Sequence, residues 1–125
     1  MNITKIVLAT LLLSYSSIQA QEKVFGFIYE DANKNGKKDS KEIGISNVLV
    51  SNGVDVVSTN KKGNYQITLT DGQTLFVIKP TNYQFLLDEY NLPKFYYNYR
   101  PNGSPALKYE AIKPTGALPK EINFA

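Results

Sequence analysis

Residues 47–59 read Asn47-Val48-Leu49-Val50-Ser51-Asn52-Gly53-Val54-Asp55-Val56-Val57-Ser58-Thr59. Two short runs rich in β-branched residues flank an Asn-Gly pair. Asn-Gly is the strongest short-range hairpin signal, because a type I′ turn needs positive φ at both central positions. The segment therefore predicts a strand over 47–52, a turn at Asn52-Gly53 and a strand over 54–59. The same grammar continues on both sides. Upstream, Val24 to Glu30 reads as a first strand. Downstream, Lys61-Lys62-Gly63-Asn64 makes a turn into a strand over Tyr65 to Leu69. Asp71-Gly72 then turns the chain into Leu75 to Lys79, and Phe95 to Tyr99 and Leu107 to Ile112 complete the set. Pro80 to Pro93 is less regular, with one helical turn expected over Phe85 to Tyr90.

No long window carries helical apolar spacing, so the fold class predicted is all-β. About seven short strands joined by tight turns point to a small β-sandwich of the immunoglobulin or transthyretin type, spanning residues 21–100. From Arg100 onward the chain changes character. Pro101, Gly103, Pro105, Pro114, Gly116 and Pro119 break regular structure, and residues 101–125 read as a linker or domain-exit segment.

The first twenty residues are set apart from the fold. Lys5 supplies a basic start, Ile6 to Leu13 is an apolar run broken only by Thr10, and Ser14 to Ala20 is rich in small residues. The apolar run is too short to span a bilayer, which takes about 20 residues. That order predicts a secretory signal peptide over 1–20, cut near Ala20–Gln21, with a secreted or periplasmic product and no membrane span after cleavage. The chain holds no cysteine, so neither a lipid-attachment site nor a disulfide framework is available. Net charge is +3 with 14 basic and 11 acidic side chains. The lysines are spread along the chain, which argues against a nucleic-acid partner. A monomer is expected.

One segment carries chemistry. Asp31 to Glu42 reads Asp-Ala-Asn-Lys-Asn-Gly-Lys-Lys-Asp-Ser-Lys-Glu. With Asp31 as the first position, oxygen-bearing side chains fall where a twelve-residue calcium loop needs them: Asp31, Asn33, Asn35, Asp39 and Glu42. Gly36 stands at the sharp turn, and Lys37 would contribute its backbone carbonyl. Calcium is a hard cation taking six to eight oxygens, and a curled backbone can turn alternate side chains inward. Glu42 would close the site with both carboxylate oxygens. Only three of these ligands are anionic, and Lys34, Lys37, Lys38 and Lys41 surround them. A structural Ca²⁺ of modest affinity is expected, in the range of about 10⁻⁴–10⁻³ M known for extracellular modules. A solvated turn would also use Asn, Gly and Lys. Six constrained positions filled together favour the ion.

Histidine is absent. Its absence removes His-based triads, imidazole zinc sites and His-containing dinuclear phosphatase centres. No catalytic constellation remains, and no intrinsic enzyme activity is expected. The aromatic run Phe95-Tyr96-Tyr97-Asn98-Tyr99-Arg100 places Phe95, Tyr97 and Tyr99 on one strand face and Tyr96, Asn98 and Arg100 on the other. The first set suits a core. The second offers Tyr96 and Arg100 as a face for a glycan or surface ligand.

Several segments in order carry a family resemblance. They are Gly26-Phe27-Ile28-Tyr29-Glu30-Asp31, the calcium-type loop, Gly44-Ile45, Val48-Leu49-Val50-Ser51-Asn52-Gly53, Gly63-Asn64-Tyr65, Phe76-Val77-Ile78-Lys79-Pro80 and Tyr83. Together they resemble the N-terminal domain of secreted calcineurin-like phosphoesterases, a sandwich related to the B-type repeat domains of surface adhesins. Tyr99-Arg100-Pro101-Asn102-Gly103-Ser104-Pro105 and Pro114-Thr115-Gly116 look like the linker that precedes the catalytic domain in such proteins. The resemblance implies a non-catalytic accessory module whose partner is a C-terminal phosphoesterase domain in the full-length protein. The family's Gly-Asp-x-His metal motifs have no counterpart in these 125 residues. The chain is then either a fragment of a longer gene or a solitary domain. The alternative function, from the aromatic face, is a stand-alone extracytoplasmic carbohydrate-binding or adhesion module.

Overall fold

The computed structural model describes residues 20–104 and 111–125. Within them the chain forms six strands and no helix: β1 (Glu22–Phe27), β2 (Leu49–Ser51), β3 (Val56–Ser58), β4 (Asn64–Leu69), β5 (Thr74–Ile78) and β6 (Tyr96–Asn98). β1 and β4 make a two-stranded sheet, and the other four run in the order β3-β2-β5-β6. All pairings between strands are antiparallel. The all-β sandwich expected from the pattern is present, with six strands rather than about seven. The six correspond to the first six expected. The seventh, over Leu107 to Ile112, falls largely on residues 105–110, outside the described residues.

The alternation that predicts the strands also fills the core. In β4, Tyr65, Ile67 and Leu69 point inward, and in β5 Leu75 and Val77 do so. Val24 from β1, Val50 from β2, and Val48, Ile28 and Tyr99 from the flanking segments join them in one cluster. Full burial of a Val or Leu side chain contributes about 1.5–3 kcal/mol. In a chain without cysteine this packing carries the stability.

β2 and β3 are shorter than the pattern predicts because side chains take over the backbone groups at their ends. At the β2–β3 connection only Gly53 has positive φ, at 88°. The turn is therefore not the type I′ turn that Asn52-Gly53 suggests. Instead, buried Asn52 accepts hydrogen bonds on Oδ1 from the N–H groups of Val54 (2.9 Å) and Asp55 (2.7 Å) and donates from Nδ2 to the Thr68 carbonyl at 2.8 Å. Its amide fixes the turn and ties it to β4. At the other end, the Thr59 hydroxyl accepts from the Val48 N–H at 2.9 Å and donates to the Ile45 carbonyl at 2.7 Å.

The tail departs from the linker expected over 101–125. Its last residues return to the sandwich and lie parallel to β1, with bridges Phe25–Glu121 and Ile28–Phe124. The Ile122 N–H donates to the Phe25 carbonyl and the Phe124 N–H to the Phe27 carbonyl, each at 2.9 Å. Ile122 and Phe124 enter the core, 8% and 6% exposed. The physical reason is the period-two alternation in Glu121-Ile122-Asn123-Phe124, which gives this short piece an apolar face. Gly26 is what lets it approach: a Cβ there would collide with the Ile122 carbonyl oxygen and the Tyr65 ring. The expected helical turn over Phe85 to Tyr90 is absent. An antiparallel bridge between Leu87 and Pro93 closes a tight loop there. No helix among the described residues is long and apolar enough to cross a membrane.

Candidate metal centre

The twelve residues from Asp31 to Glu42 leave the sheet directly after β1. Their base is clamped: the Glu30 N–H donates to the Ile43 carbonyl at 2.9 Å, the Ile45 N–H to the Ile28 carbonyl at 2.8 Å, and Tyr29 bridges Gly44. Within the loop, Lys34 (φ 57°) and Gly36 (φ 72°) adopt left-handed backbone geometry. Gly36 does so without steric cost. Asn35, between them, and Gly36 turn their N–H groups toward the Asp31 carboxylate, to Oδ1 at 3.1 Å and Oδ2 at 2.6 Å.

The remaining side chains join the same hydrogen-bonded network. Asp39 Oδ2 accepts from the Nδ2 groups of Asn33 at 2.7 Å and Asn35 at 2.9 Å. Glu42 uses both oxygens, accepting from the Ala32 N–H (3.1 Å) and the Asp39 N–H (2.9 Å). Asp31, Asn33, Asn35, Asp39 and Glu42 thus form one hydrogen-bonded network. Lys37 joins it through its N–H, which donates to Asn35 Oδ1 at 2.8 Å, and not through its carbonyl. Among the described residues no group of three or more His, Cys, Asp or Glu side chains is gathered tightly enough to hold a metal.

The fit to a hard cation turns on the two asparagines. Their amide oxygens accept backbone N–H groups, of Asn35 at 3.1 Å and Lys37 at 2.8 Å, while their NH₂ groups neutralise Asp39. A half-turn of each amide would bring both oxygens inward and strip Asp39 of two donors, which is the change an entering cation requires. The donor set is all oxygen and includes three carboxylates, as calcium prefers. A small hollow lined by Ala32, Asn33, Asp39, Ser40, Lys41 and Glu42 opens the loop to solvent.

Two residues outside the ligand pattern connect the loop to the body of the domain. Lys38 turns its ammonium to the carbonyls of Asp39 (3.4 Å) and Glu42 (3.2 Å), and it lies 5.3 Å from the ring centre of Phe27 and 6.0 Å from that of Tyr29. It reads in sequence as a surface lysine, and only the fold places Phe27 of β1 and the following Tyr29 under it. The phenol of Tyr29 is held above its ordinary value, first by burial and then by the charges of Asp31, Glu42 and Asp39. The negative field of the loop therefore reaches the core edge.

The aromatic row at β6 divides as its parity predicts. Tyr99 is buried, Phe95 and Tyr97 are half-buried, and Tyr96 is 52% exposed. Arg100, however, donates from Nη1 to the Tyr99 carbonyl at 3.1 Å and lies over Gly72. Asn98 accepts from the Thr74 hydroxyl at 2.7 Å. The polar members of the row are engaged in local contacts of their own.

Residues 32–113 match the family described as the N terminal of calcineurin-like phosphoesterase. The chain belongs to this family. The match takes in most of the loop, from Ala32 onward, and β2 through β6. It covers the domain that lies N-terminal to the phosphoesterase domain in full-length proteins of the family. No curated protein and no solved structure matches the chain.

Proposed function

We propose that this member of the family is an exported, non-catalytic accessory module that positions a phosphoesterase domain and is stabilised by one structural Ca²⁺. The family match over residues 32–113 carries the accessory reading. The hydrogen-bonded network that links Asp31, Asn33, Asn35, Asp39 and Glu42 in one loop after β1 supports the ion. With the Lys37 carbonyl, those five side chains are the ligands. The ion takes the place of the N–H and NH₂ donors that now hydrogen-bond the carboxylates, and it stiffens a loop otherwise held by exposed side-chain hydrogen bonds. Because no helices flank it, binding stabilises the domain rather than switching it. Export is supported by the order of charged, apolar and small residues over 1–20.

The alternative, a glycan or adhesion face built on Tyr96 and Arg100, has less support. Arg100 is drawn onto Gly72 and the Tyr99 carbonyl, away from a shared platform. Thermal melting of the purified chain with and without calcium tests the ion. At a Kd of about 0.1 mM, 1 mM calcium adds about 1.4 kcal/mol by mass action. That corresponds to a rise of about 6–11 °C for a domain of this size, reversed by chelator. An unchanged melting temperature leaves the loop an ordinary polar turn. Phosphatase activity of the chain should not exceed a buffer blank, and activity above it overturns the accessory reading.

A further inference from the structure

We infer that the face formed by the Leu86–Lys94 loop and the chain end is where the phosphoesterase domain packs, an inference that rests on the accessory-module reading. Two open hollows, of about 530 and 430 Å³, lie side by side here and share Tyr29, Leu86 and Ala125. Of their lining residues Tyr83, Leu87, Leu92 and Tyr96 are exposed, and Tyr90, on the same loop between Leu87 and Leu92, is 74% exposed. Single exposed apolar residues need no explanation, but several gathered at adjoining hollows mark a contact surface.

The loop that presents them is pre-organised. Asp88 Oδ1 accepts the N–H groups of Tyr90 at 2.8 Å and Leu92 at 2.9 Å, and the Asp88 N–H donates to the Leu92 carbonyl at 2.9 Å. The Lys94 N–H donates to the Leu86 carbonyl at 2.8 Å, and Phe85 packs on Phe95 with ring centres 5.7 Å apart. Tyr90 and Leu92 are therefore held outward by a fixed backbone, which lowers the ordering cost of an interface.

The occupant follows from the path of the tail. Residues 121–125 are laced to β1, and the Leu86 N–H donates to the Ala125 carbonyl oxygen at 3.4 Å. Ala125 borders both hollows, so a domain joined after it by a short link faces this surface at high effective concentration. A second exposed apolar group among the described residues, Leu49, Val56 and Ile78 on the outer face of the four-stranded sheet, is interleaved with Ser51 and Ser58 and borders neither hollow.

Amide hydrogen exchange, compared between the full-length gene product and this 125-residue chain, tests the assignment. Exchange over 84–94 should slow by about tenfold or more in the full-length protein. The double variant Tyr90→Ser, Leu92→Asp should abolish that protection while leaving the melting of the 125-residue chain unchanged. If the reading frame continues into a phosphoesterase domain and exchange over 84–94 is the same in both proteins, the inference fails and the accessory reading stands. Protection at Leu49, Val56 and Ile78 instead has the same consequence. A frame that ends at Ala125 overturns both. Concentration-dependent protection of 84–94 in the 125-residue chain alone would assign the face to a second copy and overturn the inference.

Discussion

Two segments border β1 in different ways. The tail, residues 121–125, runs along it and is held by burial. Ile122 and Phe124 sit in the core, the Tyr65 hydroxyl donates to the Ile122 carbonyl at 2.6 Å, and Gly26 provides the space. The loop, Asp31–Glu42, projects from its end and is held by its own polar side chains, largely exposed to water. The two meet at Tyr29, whose N–H donates to the Phe124 carbonyl at 3.1 Å and whose phenol feels the loop carboxylates. Burial gives the tail a single packing that tolerates no added atom. Hydrogen bonds among exposed groups give the loop an arrangement whose donors an ion can replace.

The sharpest way to break this contrast is at Gly26. Gly26→Ala should cost about 4 kcal/mol, because the new methyl group meets a backbone carbonyl and must expel the strand that carries both Ile122 and Phe124. Denaturant unfolding measures it, and a cost under about 1 kcal/mol would mean the tail is not packed as described. Phe124→Ala removes one buried ring and should cost about 3 kcal/mol. An effect no larger than that of an exposed loop substitution would place the tail outside the core.

The loop should respond more mildly. Asp31→Ala should remove the calcium-dependent stabilisation of about 1.4 kcal/mol while leaving the metal-free melting temperature within a few degrees. A variant that keeps the full calcium shift would take Asp31 out of the ligand set.

The smallest effect is expected at Tyr65, where Tyr65→Phe should cost about 1 kcal/mol near neutrality through the lost bond to Ile122. The phenols of Tyr65 and Tyr99 are both held above the ordinary value by burial, with the Glu121 charge adding at Tyr65 and the Glu22 hydrogen bond at Tyr99. The folded state thus binds those protons more tightly than the unfolded state does. Stability from this source is complete below about pH 10 and declines as pH rises beyond it. Tyr65→Phe should make the alkaline decline shallower. An identical slope in both proteins would show that Tyr65 keeps an unshifted phenol.

Much of this architecture was legible in the residues. The alternation in Tyr65-Gln66-Ile67-Thr68-Leu69 locates β4 and its inward face, since a side-chain period of two has one solution once one face is buried. The spacing of Asp31, Asn33, Asn35, Asp39 and Glu42 foretells which side chains meet, because a short loop clamped at both ends leaves few ways to curl. The turn at Asn52 was legible in position but not in form. Its type follows from Asn52 Nδ2 reaching the Thr68 carbonyl, sixteen residues away. Glu121-Ile122-Asn123-Phe124 carried its alternation openly, yet the prolines and glycines before it pointed to an exit from the domain.

By itself the sequence determined the fold class, the approximate positions of the six strands, the residues of the polar loop and, through its successive segments, the family resemblance. The first three depend on local periodicity and fixed spacing. Tertiary structure alone decided that the tail lies beside β1, that Lys38 sits over Phe27 and Tyr29, and that Ala125 borders two adjoining hollows. Those outcomes depend on which distant surfaces fit together. Fit of that kind is set by steric exclusion, such as the missing Cβ of Gly26, and by carbonyl groups brought within reach only when the chain closes.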